Sequence, residues 1–166
     1  GTDPRKVGSG RTGGTNVYRA AGPKAGILTA LLDAGKGAAA ILFVQSLGWL
    51  IGDPALVELG MICAAIGTVT GHNWSLYLGG RGGAGTMTNL GNVAALFPPL
   101  LFVVIPLGAF TLKQSRMASV GSLVIAWATA GAAYIGALWG WVPPLVSAYG
   151  LSQALLISYA LLPNIK

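Results

Sequence analysis

The chain has 166 residues, 54% of them hydrophobic and only 8% charged, with a formal net charge of +6. A soluble domain carries about 25% charged residues. There is too little charge here to clothe a water-facing globule, and the chain reads as an all-α integral membrane protein, a polytopic helical bundle. The cations do not imply nucleic acid, because they sit beside the ends of apolar segments, where they suit membrane topology and anionic headgroups.

Residues 1–24 are polar, glycine-rich and basic, with Arg5, Lys6, Arg11, Arg19 and Lys24. They read as a cytoplasmic loop with a short helix near 17–21. Residues 26–51 form the first apolar span. It carries Asp33 and Lys36, three residues apart and on one helical face. Charges inside a bilayer are expensive unless paired or near water, so these two either steady helix packing as a pair or line a polar pocket. Residues 52–54, Gly-Asp-Pro, make a turn. Residues 55–70 form a second, shorter helix with Glu58 in its first turn, where the helix dipole favours an anion. Residues 71–85 are a second cytoplasmic glycine-rich loop. Residues 86–112 are apolar but interrupted at Pro98-Pro99 and at Pro106. The last spans are 120–141 and 145–162, separated by Pro143-Pro144, and residues 163–166 begin a tail. The chain opens in a polar loop without an initiator Met, so it is expected to be one transmembrane domain, 1–166, cut from a longer protein.

The charges set the topology. With the first basic loop inside, two spans return the second glycine loop and Arg81 to the inside. A hairpin of two short helices in 86–112, turning near Pro98-Pro99, keeps Lys113 and Arg116 inside too and leaves Asp53 and Glu58 near the outer face, as the positive-inside tendency favours. Each arm has about 12 residues, roughly 18 Å of helix against a hydrocarbon core of about 30 Å. The arms are therefore half-spans, tilted or re-entrant, and the chain holds about six spans or half-spans. Trp49, Trp74, Trp139 and Trp141 fall at predicted interfaces.

Two stretches carry candidate chemistry. In GSGRTGGTNVYRAAG, residues 8–22, four glycines open the backbone. Ser9, Thr12, Thr15 and Asn16 offer neutral donors and acceptors, and Arg11 and Arg19 offer forked guanidinium groups suited to phosphate. A flexible loop that holds headgroups has the same composition. In GHNWSLYLGGRGGAGTMTNLG, residues 71–91, stand the only histidine, His72, and the isolated Arg81. Gly82, Gly83 and Gly85 give this loop the density of an anion nest. It is neither a dinucleotide fingerprint, having no preceding strand, nor a P-loop, lacking the Gly-Lys-Ser/Thr ending. Close helix packing by small residues is the alternative. It suits Gly131 and Gly136 better than the loop glycines, which Arg81 interrupts. His72 is either a base or a hydrogen-bonding anchor. Ser115, Ser119 and Ser122 lie near another inner interface, where one can cap a helix. One His and one Cys make no metal site, so no cofactor is expected. Any catalysis then rests on donors, cations and positioning. Together the two loops read as walls of one phosphate-handling pocket at a membrane face.

These stretches resemble the bacterial membrane acyl-phosphate:glycerol-3-phosphate acyltransferases. The matching segments are DPRKVGSGRTGGTNVYRAAG at 3–22, DAGKG at 33–37, GHNWSLYLGGRGGAGTMT at 71–88, SRMASVGS at 115–122 and NI at 164–165, in the family's order and spacing. The resemblance implies an all-helical fold of seven spans, the first of them preceding residue 1. It implies transfer of a fatty acyl group from acyl-phosphate to the 1-hydroxyl of glycerol 3-phosphate, giving lysophosphatidic acid and inorganic phosphate for phospholipid synthesis. The expected setting is the bacterial cytoplasmic membrane, with the site loops facing the cytoplasm and no cofactor. By position, the resemblance makes Ser9, Arg19, Lys36, His72 and Ser119 catalytic candidates. It makes Thr15, Asn16, Arg81, Gly82, Gly83, Gly85, Thr88 and Asn164 candidates for phosphate binding, to which the guanidinium chemistry of Arg11 adds one more, and it matches Asp33 and Gly37 to an Asp-x-x-Lys-Gly element.

The chain departs from the family pattern at three places. Arg11-Thr12 stands for Asn-Pro or Asn-x, Ala84 for a lysine, and Leu161 for a histidine three residues before the asparagine. The missing lysine removes a full charge from the expected glycerol-phosphate site, and Arg81 and Arg11 are the cations left to offset it. The alternative reading is a catalytically silent relative, a structural or lipid-binding subunit of a larger membrane complex. A small-solute transporter is a third, since half-helices and buried charges also suit one. The expected partners of the enzyme are its two phosphorylated substrates and membrane lipids.

Overall fold

The computed structural model describes residues 2–164, without the side chain of Asn164. A 3-10 turn at Pro4–Lys6 is followed by α1 (Gly14–Ala21), α2 (Pro23–Ser46), α3 (Gly48–Ile51), α4 (Pro54–Asn73), α5 (Thr86–Leu96), α6 (Leu101–Ser115), α7 (Ala118–Leu138) and α8 (Pro144–Leu161). No strand occurs among the described residues. Four segments, Pro23–Ile51, Pro54–Leu78, Ala118–Leu138 and Pro144–Leu161, are long and apolar enough to cross a membrane. Proline opens three of these helices, at Pro23, Pro54 and Pro144, where its missing N–H would have had no intrahelical partner anyway.

The helix limits differ from expectation in one way that matters. α4 runs through Gly71 and ends only at Asn73, so His72 and Asn73 belong to its last turn and the second loop is shorter than predicted. A glycine in a helix costs only about 1 kcal/mol, and contacts of His72 with α2 hold the turn in place. Because α4 also starts earlier, Glu58 falls past the first turn. Asp53 supplies the cap instead, accepting from the Ala55 amide at 2.9 Å.

α5 has 11 residues and α6 has 15. Pro106 lies inside α6 without ending it. The first residues of α5 and the last of α6 line the same cavity, so the chain goes in and returns, as a hairpin requires. The arms touch each other only slightly, however. α5 packs on α2 and α6 packs on α7. Small residues explain the choice. A Cβ on Gly91 would run into the Ala34 carbonyl of α2, and one on Gly37 into the Thr88 carbonyl of α5. On the other side, a Cβ on Gly108 would meet the Ile125 side chain of α7. A Cβ on Gly131, expected to pack closely, would meet nothing, whereas one on Gly136 would stand 3.2 Å from Val142 Cγ2.

α5 is buried continuously from Thr88 to Val93. Polar ties hold it to the other helices. Asn92 Nδ2 donates to the Ala65 carbonyl of α4 at 2.9 Å, Thr68 Oγ1 donates to Asn92 Oδ1 at 3.3 Å, and the Tyr149 hydroxyl of α8 donates to Asn89 Oδ1 at 2.6 Å. Polar side chains in such a setting persist when they find partners on neighbouring helices.

The helix ends fall into two groups. The end of α4, the starts of α5 and α7 and the ends of α6 and α8 gather at one end, marked by contact of Trp74 with Tyr159 at 5.8 Å between ring centroids. The described Lys and Arg residues lie at or toward this end, whereas Asp53 and Glu58 lie at the other. Trp49, Trp139 and Trp141 are exposed at that acidic end.

The close approach of α2 and α5 makes Gly91 a sensitive position. Gly91→Ala is expected to lower stability by about 1–3 kcal/mol, the usual cost of overpacking. The check is the melting temperature in detergent, with Gly131→Ala, which meets no neighbour, as the control that does not fall below the parent.

Candidate functional site

The first loop folds back over α1. Asp3 caps the opening turn through the Arg5 amide at 2.9 Å, and the Arg5 side chain, donating to the same carboxylate, holds it below the usual range. Asn16 is buried and works as an internal brace. Its Nδ2 donates to the Val7 carbonyl at 2.9 Å, and its Oδ1 accepts from Arg19 Nη1 at 3.1 Å. Gly8 lies against both, with φ of +51°, and a Cβ there would stand 2.6 Å from Arg19 Nη1. Only glycine combines that backbone angle with so close an approach. α1 then packs along the start of α2, with Gly26 beneath Tyr18.

The glycines of the second loop act differently from the expected anion nest. The Gly82 amide donates to the Asn73 carbonyl and the Gly83 amide to the His72 carbonyl, both at 3.1 Å. Any Cβ on Gly82 would strike the His72 carbonyl, and one on Gly83 the His72 ring. These glycines are there because the loop is clamped onto the end of α4. Their amides satisfy its last carbonyls and are not turned toward a ligand. Gly82 and Gly83 thus pack closely on the end of α4, a role the sequence suited less well to them than to Gly131 and Gly136.

The two loops meet. The Thr12 amide donates to the Gly82 carbonyl at 3.4 Å and Arg11 Nη1 to the Gly83 carbonyl at 2.9 Å. Burial pushes the Arg11 guanidinium below its ordinary value, though an arginine stays charged.

Beneath this junction lies a cavity of about 820 Å³. Its polar end is built from three helix N-termini: α1 behind Gly13, α5 behind Gly85 and α7 behind Met117. None of the three caps has a side-chain hydrogen bond. First-turn N–H groups have no intrahelical partner and carry the positive end of the helix dipole, so the convergence favours anions. Arg11, Arg19 and Arg116 line the same space with Ser9, Thr15, Asn16 and Ser119. The other end is apolar. Ile27 and Ala30 of α2 face Ile105, Ala109 and Leu112 of α6. Ile27 and Ile105 are exposed, so the cavity opens sideways between the two helices.

Asp33, Lys36 and His72 form the inner wall. Lys36 Nζ donates to Asp33 Oδ1 at 2.7 Å and lies 2.6 Å from His72 Nδ1. His72 Nδ1 also lies 3.4 Å from Asp33 Oδ1, and Nε2 faces Gly83. Asp33 and His72 also border a second cavity of about 220 Å³, lined further by Thr12, Lys36 and Ser75. The pair read from the sequence is therefore both an internal ion pair and a pocket wall, and His72 is an anchored group.

Other expected site residues fall elsewhere. Lys36 opens onto the small cavity and not the large one. Arg81 is exposed and lines neither, because its stretch of loop turns outward past the clamp. Thr88 is fully buried beneath α2 and, like Gly82 and Gly83, does not line either cavity, while Gly85 does. Leu161 lines the large cavity with an apolar side chain. The side chain of Asn164 lies outside the described residues. Sequence reasoning missed the three N-termini and Arg116. Arg116 ends α6 in a left-handed conformation, φ +56°, and its only signal was an arginine between two serines just past an apolar helix.

A model of the glycerol-3-phosphate acyltransferase family matches residues 1–166. The glycerol-3-phosphate acyltransferase of Pseudomonas aeruginosa is 38% identical over 138 residues, 78% of this chain and 69% of that protein. Crystal structures of PlsY (YgiH), an integral membrane glycerol 3-phosphate acyltransferase, share the fold. The glycerol 3-phosphate form has a TM-score of 0.82 at 30% identity over 99% of this chain and 78% of that one. The lysophosphatidic acid form has a TM-score of 0.78 at 28% identity over 95% and 75%. A multi-pass helical bundle, two meeting glycine loops and a full-length family match thus make this chain a member of the glycerol-3-phosphate acyltransferase family.

Proposed function

We propose that this glycerol-3-phosphate acyltransferase takes its acyl group from an acyl-phosphate and delivers it to the 1-hydroxyl of glycerol 3-phosphate. The observation that carries the reading is the shape of the large cavity. One end gathers three helix N-termini and three arginines, and the other is an apolar slot open between α2 and α6. Two phosphates suit the first end, through helix dipoles and guanidinium forks, and a fatty chain suits the second.

The chemistry follows from that placement. The acceptor hydroxyl oxygen attacks the acyl carbonyl carbon and a C–O ester bond forms. The bond from that carbon to the phosphate oxygen breaks, and inorganic phosphate leaves with the electron pair and takes up the hydroxyl proton. An acyl-phosphate is already activated, so holding the two reactants in line supplies much of the acceleration. N–H dipoles fixed around the reacting carbon stabilise the developing oxyanion. Arg19, braced by Asn16, is the candidate for one phosphate, with Ser9 and Thr15 beside it. Arg116 and Ser119, at the junction of α6 and α7, approach the same space from the opposite wall. His72, whose Nδ1 is engaged by Lys36, positions the wall and does not act as the base, and Leu161 offers no proton acceptor. The basic end of the bundle faces the cytoplasm of a bacterial inner membrane in this reading.

In detergent, phosphate release that requires both acyl-phosphate and glycerol 3-phosphate is the expected result for the purified protein. Release without the acceptor, or none at all, would count against it and in favour of a silent relative. Arg19→Ala is expected to lower kcat/KM by about 100-fold, the scale of a lost charge-assisted contact, with little change in melting temperature.

Lys36→Met takes the ammonium from the Asp33 carboxylate, leaving it only His72 Nδ1 at 3.4 Å, and should lower stability by about 1–3 kcal/mol, less than for a fully buried pair because Lys36 is partly exposed. The Asp33→Asn/Lys36→Met double variant is expected to recover the melting temperature without recovering turnover. Recovery of both would assign the pair a purely structural role.

A further inference from the structure

Two arginines are available to bring charge to the start of α5, where position 84 is alanine, and the geometry separates them. Arg81 precedes Ala84 in the same loop but is exposed and lines neither cavity. Arg11 is 72 residues away, yet its Nη1 donates to the Gly83 carbonyl at 2.9 Å. Gly83 is next to Ala84 and two residues before Gly85, the N-cap of α5. The side chains of Arg11 and Ala84 line the same large cavity. The Thr12 amide is joined to the Gly82 carbonyl at 3.4 Å, so Arg11 is held against the second loop by its own backbone as well as by its side chain.

We propose that Arg11 is the cation of the second loop: it carries charge across from the first loop to the mouth of α5, where it binds the phosphate of glycerol 3-phosphate. A charge acts through its position and not through the segment that supplies it. A lysine placed at 84 starts from the same wall of the cavity and can reach the same point, so the two positions are interchangeable carriers of one charge. Gly83 needs no side chain in this arrangement. Its carbonyl orients the guanidinium, and the dipole of α5 adds to the field there.

The inference rests on the acyl-transfer reading, and the test keeps the two apart. Arg11→Gln removes the charge while keeping a side-chain donor, and its melting temperature reports whether the loop contact survives. It is compared with Ala84→Lys and with the double variant in the full chain in detergent. The readouts are KM for glycerol 3-phosphate, kcat, melting temperature, and calorimetric binding of glycerol 3-phosphate without acyl donor.

Arg11→Gln is expected to raise KM and weaken binding by about tenfold or more, with a smaller change in kcat. Adding Ala84→Lys to it should bring both back to within about threefold of the parent. Ala84→Lys alone should not improve on the parent, because two cations then crowd one point. An unchanged KM in Arg11→Gln, or a double variant that stays folded but is no better than Arg11→Gln, overturns the inference. A parent that binds glycerol 3-phosphate without turning it over defeats the acyl-transfer reading but leaves the calorimetric comparison decisive. A parent that does neither defeats both.

Discussion

α5 is too short to cross a membrane and is buried from Thr88 to Val93. Those two facts together shape the site. A spanning helix would carry its N-terminus out to water, where solvent would satisfy the first-turn amides. α5 begins inside the bundle, so its unsatisfied N–H groups open into protein-lined space. The helix can sit there because Gly37 and Gly91 let α2 approach its backbone, and because Asn89 and Asn92 find partners on α8 and α4. The starts of α1 and α7 then complete a ring of positive dipole ends around one cavity.

Glycine does two jobs in this chain. At Gly8 it permits a left-handed backbone angle and the close approach of Arg19. At Gly82 and Gly83 it removes bulk so that the second loop can close on the last turn of α4. The second job uses up the very amides that a glycine-rich loop suggests are open to a ligand. What remains in the cavity to attract an anion is the helix N-termini and the arginine side chains. The outcome is a rigid junction, in which the loop that looks loosest by composition is fixed by the His72 and Asn73 carbonyls.

The charged wall formed by Asp33, Lys36 and His72 shows how polar groups survive in an apolar chain. Each is partnered, and the group separates a large cavity from a small polar one. Acyl transfer from an activated donor suits such a scaffold, since it asks for positioned charge and exclusion of water more than for a strong base. The apolar slot between α2 and α6 connects the same space to the bilayer, where a fatty chain belongs.

Composition alone settled that this is a helical membrane protein, because 8% charged residues cannot clothe a soluble fold. Local period placed Asp33 and Lys36 on one face, since residues three apart on a helix are neighbours wherever the helix lies. Pro54 and Pro143-Pro144 marked turns between spans, Pro98-Pro99 marked the hairpin of α5 and α6, and the motif order pointed to the family. None of this distinguished Arg11 from Arg81, showed that Gly83 packs on His72, or revealed that Arg116 and Arg19 line one cavity. Those relations join residues far apart in the chain, and they exist only once α2, α4, α5 and α7 have packed. Periodicity and composition describe what a segment presents on its own faces; which faces meet is decided by the few places where a missing side chain lets two backbones touch.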